Sequence, residues 1–283
     1  MAVVERIAMQ RSSTLLLFLL AVGLLCLGPG SWARAEEPPA DDEAEEAEEE
    51  VAPLDPAEAT RLEKLLAKAA KARKVADTLA ALDEVGEQTH PSFQKPLLKM
   101  LTHESSRVAM RAADMLSWQR LESEKQQKKL GKAIWKKGFT DRKNHRRYNV
   151  KGRIVLATAD VEGDAELDNS RFKDVERLWR TVIGDPREAN APAIVAVCEY
   201  VRLTKDKRLC RKLAEEIDEP GATAVNSPTN PPAEWWERRW KMWKQYKAEV
   251  VESLEELTGE SFKDTAAAKA WFEANGKEFG FRW

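Results

Sequence analysis

"EWWERRWKMWKQY" occupies Glu234–Tyr246 and places four tryptophans within nine residues. The rings either line a ligand site or close a core. On a helical wheel with Trp235 at zero, Met242, Trp235 and Tyr246 fall within about 20° of the origin. Arg239 and Leu257 follow at about 40°, Val250 at about 60°, Trp243 at about 80°, Trp236 and Leu254 at about 100°, and Trp240 at about 140°. Charged and amide side chains fill the other half. An apolar arc of roughly 180° suits a helix packed on two sides. The stretch therefore reads as core, with Trp236, Trp240, Trp243, Leu254 and, further on, Trp271 inside. Arg239 lies within the arc and needs a ring or a carboxylate as partner. Trp235, at the edge, is expected to be partly exposed.

Working outward, the rest of the chain is also helical in pattern. Ile154-Val155-Leu156 is the one strand-like run, and it continues into Ala157 and Ala159 at helical spacing. Elsewhere apolar residues recur at three and four. Leu79–Leu101, Val108–Trp135, Ile154–Ile183 and Ile194–Ile217 each read as an apolar helix, a polar turn and a second apolar helix. Such pairs expose a face that only a stacked neighbour can cover.

"HESSRVAMRAADML" (103–116) resembles the second helix of a HEAT repeat, and "EYVRLTKDKRLCRKLAEEI" (199–217) resembles the turn into the next repeat. "PPAEWWERRWKMW", "SLEELTGESF" and "AAAKAWFEANGKEFG" look like the closing segment of exported bacterial HEAT-repeat proteins. The resemblance covers roughly Leu79–Trp283. It implies an all-α fold, a HEAT-like α-solenoid of about four helix pairs with a Trp-rich helical cap. It also implies protein–protein contacts, and it carries no catalytic motif.

The N-terminal part has a different character. Arg6 and Arg11 precede a 13-residue apolar run, Leu15–Leu27, and Ala33-Arg34-Ala35 fits a small-x-small cleavage site. Residues 1–35 are expected to be a signal peptide, either cleaved or retained as an anchor, with export to the periplasm or beyond. Residues 36–60 hold 12 acidic residues and no Lys or Arg, together with Pro38, Pro39, Pro53 and Pro56. This composition predicts a disordered acidic arm, with a helix beginning near Pro56. The remaining body carries 43 basic and 35 acidic residues, so a near-neutral total hides an acidic arm on a basic body. The expected divisions are 1–35, 36–60, repeats over 61–230 and capping helices over 231–283.

Residues that would carry chemistry are sparse. His90, His103 and His145 have no partner at metal-ligand spacing. No Gly-rich phosphate loop or nucleophile elbow occurs. Four acids in "AEEIDEP" (214–220) match no calcium loop. No cofactor, no small-molecule substrate and no enzyme activity are expected, and no membrane span after signal cleavage. Cys198 and Cys210 are either buried free thiols or a disulfide; facing stripes on an antiparallel helix pair would bring their Cα atoms to roughly 4.5–5.5 Å.

The pointed feature is 125–153, with 12 Lys/Arg against one acid, Asp141, and with Trp135, Phe139 and Tyr148 interleaved. One reading is a solvated helix face and an open turn. The other is an anionic-partner site at Lys128, Lys129, Lys132, Lys136, Lys137, Arg142, Lys143, Arg146, Arg147, Lys151 and Arg153. The acidic arm is then a competitor in the same chain. The functional expectation is a non-catalytic scaffold for a protein partner, with binding of an acidic polymer as the alternative and an enzyme without a recognisable motif as the second alternative.

Overall fold

Asp55 opens the folded part: its carboxylate accepts the Ala57 N–H at 3.0 Å, and Pro56 takes the first helical position. Helix α1 thus runs Pro56–Ala69 and buries Ala59, Leu62, Leu66 and Ala69. The last residues assigned to the acidic arm belong to this helix. The computed structural model describes residues 54–119, 121, 123–221, 230–277 and 279. All fall in one compact unit, residues 52–283. Residues 1–53, which hold the expected signal peptide and most of the expected arm, lie outside the described residues.

Among the described residues the chain is all-helical, with eleven α-helices and no strand. After α1 come α2 (Val75–Val85), α3 (Gln94–Met100), α4 (Ser106–Ser117), α5 (Glu124–Ile134), α6 (Tyr148–Val161), α7 (Asn169–Gly184), α8 (Ala191–Thr204), α9 (Cys210–Ala214), α10 (Ala233–Thr258) and α11 (Thr265–Asn275). Each odd helix from α1 to α9 packs on the even helix after it. The even helices also pack in succession, α2 on α4, α4 on α6, α6 on α8 and α8 on α10.

This corrects the expected pairing. Helix ends fall close to the expected positions, but α2, α4 and α8 do not pack substantially on the helix that follows each of them. A polar turn shows that the chain reverses. It does not show whether the second helix settles on its predecessor or its successor.

Helix α6 lies at the centre, against α4, α5, α7 and α8, and buries nine of its fourteen residues. Ile154-Val155-Leu156 is buried within it. Gly152 permits its contact with α8: a Cβ there would stand 2.9 Å from Ala193 Cα and 3.0 Å from Ala193 O.

Candidate anion-binding surface

The basic segment is a fixed platform. Ser123 caps α5, with Oγ accepting the Gln126 N–H at 3.4 Å. Beyond Ile134 the helix widens into a π-turn, Trp135–Phe139, whose two rings stack at 4.2 Å and 9° and are buried. Gly138 lets this turn lie on α6, since a Cβ would come within 2.5 Å of Ile154 Cδ1. Asp141 accepts the Lys143 N–H at 2.9 Å. Asn144, fully buried, donates from Nδ2 to Leu101 O and to Gly138 O, both at 2.9 Å. The expected open turn is instead pinned to the end of α3 and to the π-turn.

The eleven candidate cations divide into three groups. Arg147, Lys151 and Arg153 are structural. Arg147 donates to His103 O at 2.7 Å and to Asn144 Oδ1 at 2.8 Å. Lys151 lies 4.7 Å over the Phe139 ring, and burial lowers its pKa. Arg153 bridges α4 and α8, pairing with Asp114 and, at 3.6 Å, with Glu199. Lys128 pairs with Glu124 one turn earlier. The remaining seven, Lys129, Lys132, Lys136, Lys137, Arg142, Lys143 and Arg146, are exposed and make no ion pair among the described residues. Trp135 and Phe139 are closed off from ligands, and Tyr148 is half-buried.

Elsewhere charges meet between helices. Arg111 of α4 reaches Asp83 of α2 at 3.8 Å, and Arg202 of α8 reaches Glu249 of α10 at 2.7 Å. Arg171 holds Glu162 with two bonds, 2.7 and 2.9 Å. Beside Arg153 stands Asp160. Burial, reinforced by Asp164, raises its pKa to about 6, with Glu199 adding and Arg153 and the Ser117 hydroxyl opposing. A raised carboxyl favours the folded state at low pH. That contribution is full below about pH 4 and is lost as the pH rises through about 6. Asp160→Asn should therefore gain about 1–2 kcal/mol at pH 7.5, and melting curves should show the gain shrinking as the pH falls toward 4.

In α10, Trp243 and Leu254 are buried, whereas Trp236 and Trp240, and Trp271 of α11, are half-buried. The buried arc, from Met242 through Tyr246, Arg239 and Val250 to Leu254, spans only about 120°, and Trp240 lies past its margin. Trp235 is half-buried, its indole N–H donating to Gly184 O at 3.3 Å. Trp271 stands in an aromatic cluster with Phe262, Phe272 and Phe279. Arg239 is 4% exposed, pairs with Glu216 and donates to Tyr246 Oη. Tyr246 Oη donates to Glu216 Oε2 at 2.7 Å, and Trp243 Nε1 to Glu216 O at 2.9 Å. Glu216 belongs to the acidic run that matched no metal loop.

Cys198 and Cys210 are free, buried thiols, each pushed up to about 12 by burial. The disulfide geometry required α8 and α9 to face each other. Instead α9 is five residues long and packs on α10 and α11. His90 and His103 cap local turns: Nδ1 of each accepts a backbone N–H two residues on, at 3.3 and 3.0 Å. Among the described residues no His/Cys/Asp/Glu group could hold a metal ion, and no helix is long and apolar enough to cross a membrane. No family model, no curated protein and no solved structure matches the chain.

Proposed function

We propose that this chain is an exported, non-catalytic binding scaffold of the cell envelope or extracellular space. It is built as an α-solenoid of stacked helix pairs closed by its Trp-rich C-terminal helices, and it holds an anionic partner, protein or polymer, on the basic segment. The succession of even helices and their arginine–carboxylate links support the solenoid reading. The apolar run of residues 15–27 supports export. The observation that carries the binding reading is the seven exposed, unpaired cations in residues 129–146 on a pinned platform. Ordinary surface cations are interspersed with acids. Here the one acid, Asp141, is occupied by a backbone N–H.

Two measurements test this. Amino-terminal sequencing of protein recovered from the envelope fraction should start near Glu36. Reversing Lys136, Lys137, Arg142 and Arg146 to Glu should weaken binding to a polyanion by at least about tenfold at low salt, with the difference closing as salt rises. Arg147 is left out because its guanidinium bonds the backbone of His103. Unchanged binding by the reversed variant at low salt would refute the assigned surface.

A further inference from the structure

The cations of the basic segment continue a wider pattern. Helices α1, α3, α5, α7 and α9 together carry 15 Lys/Arg against 5 Asp/Glu, whereas α2, α4, α6, α8 and α10 carry 10 against 12. The fold thus separates a basic row from a near-neutral one. Along the basic row α1 packs on α3, and α3 packs on the π-turn that ends α5. Lys64 and Lys68 of α1 and Lys95 and Lys99 of α3 are exposed and make no ion pair among the described residues. They add four unpaired lysines on two more helices of the same row.

The kind of cation narrows the partner. Among the described residues the links between helices are mostly made by arginine, at Arg61, Arg111, Arg153, Arg171, Arg202 and Arg239, with Lys205–Glu256 as an exception. The outward, unpaired cations of α1, α3 and α5 are all lysines, and Arg142 and Arg146 join them only in the loop beyond the π-turn. Lysine is a hydrated point charge without arginine's two-pronged fork, so it attracts density of charge more than any one planar group. Protein interfaces concentrate their energy in buried aromatic, arginine and apolar anchors. Among the described residues Val75 is the one exposed large hydrophobic side chain, so this face supplies neither an apolar or aromatic anchor nor a wedge for a lipid surface. Base stacking, the main grip on single-stranded nucleic acid, needs open rings, and Trp135 and Phe139 are buried.

We infer that the row α1–α3–α5 is a continuous docking face for a linear acidic polysaccharide, carboxylated or sulfated, held across all three helices. The inference rests on the proposed anion-binding role and names its ligand. Helices stack at about 8–10 Å, so the three span about 20 Å, and a long chain gains from all of them.

The test uses heparin and alginate as long probes and short oligosaccharides cut from each. One variant reverses Lys64, Lys68, Lys95 and Lys99 to Glu; the other is the basic-segment reversal described above. Circular dichroism and melting confirm that both fold. Both should lose at least about tenfold in affinity for the long probes at low salt. For the short probes only the basic-segment variant should lose. If the α1/α3 variant binds long probes as the wild type does, the extended face is refuted while the anion-binding role stands. If neither variant loses affinity, both fail. Salt-resistant binding to vesicles of anionic phospholipid, or preference for an acidic peptide over the polysaccharides, would overturn the choice of ligand.

Discussion

Arg239→Met is expected to cost about 3–5 kcal/mol of folding stability, read as a lowered urea midpoint at unchanged slope. The guanidinium is 4% exposed and sits between Glu216 and Tyr246. Removing it leaves the Glu216 carboxylate buried beside a single hydroxyl donor, at 2.7 Å. An uncompensated buried charge costs far more than the pair contributes. The triple variant Glu216→Leu, Arg239→Met, Tyr246→Phe removes every polar side-chain member and should return to within about 1 kcal/mol of the wild type. Trp243 keeps its partner there, because it bonds the Glu216 backbone oxygen. A single-variant loss below about 1 kcal/mol would show that water reaches the pair.

Gly152→Val should cost about 2–3 kcal/mol, because it drives a branched side chain into the backbone of α8. The first added carbon already meets Ala193 Cα at 2.9 Å, Ala193 O at 3.0 Å and the Ala196 methyl at 3.2 Å. Backbone cannot rotate away as a side chain can. Even Gly152→Ala, worth about 1 kcal/mol in helix propensity, should be a net loss. Gly184 makes the comparison: nothing lies within 4 Å of its Cβ position, so Gly184→Ala should be neutral or slightly stabilising. Equal melting temperatures for the two alanine variants would show that α6 and α8 part without cost.

Helices were legible in the sequence because spacing follows directly from covalent geometry. Met100, Ile134 and Gly184 end helices within a residue of the expected Leu101, Trp135 and Ile183. Arg239 was legible as an inward charge because apolar neighbours surround it on the wheel. Its partner was not, since Glu216 sits among four acids of equal local pattern and only tertiary packing selects one. The pairing of helices was hidden for the same reason. In the candidate site, a count of charges could not separate Arg153, fixed between Asp114 and Glu199, from Lys132 in solvent. One signal was present: Arg153 borders the uncharged run Ile154–Ala159, and a charge beside a buried run needs a partner. Asn144, which pins the loop, looks like any polar turn residue until Leu101 O and Gly138 O are seen beside it.

The cations of the proposed face and those that join helix to helix are different residues, so binding and folding are separately adjustable. Among the described residues arginine makes most of the ion pairs that join one helix to another, with Lys205–Glu256 as a lysine example. The outward lysines of the proposed face make no ion pair among the described residues, and each exposed charge is worth under about 1 kcal/mol. Acetylation of such a lysine, or its loss by mutation, lowers the surface field by one small step and leaves the helices in place. The strength of attraction can thus drift by degrees across descendants of this chain, while the architecture that displays it stays the same.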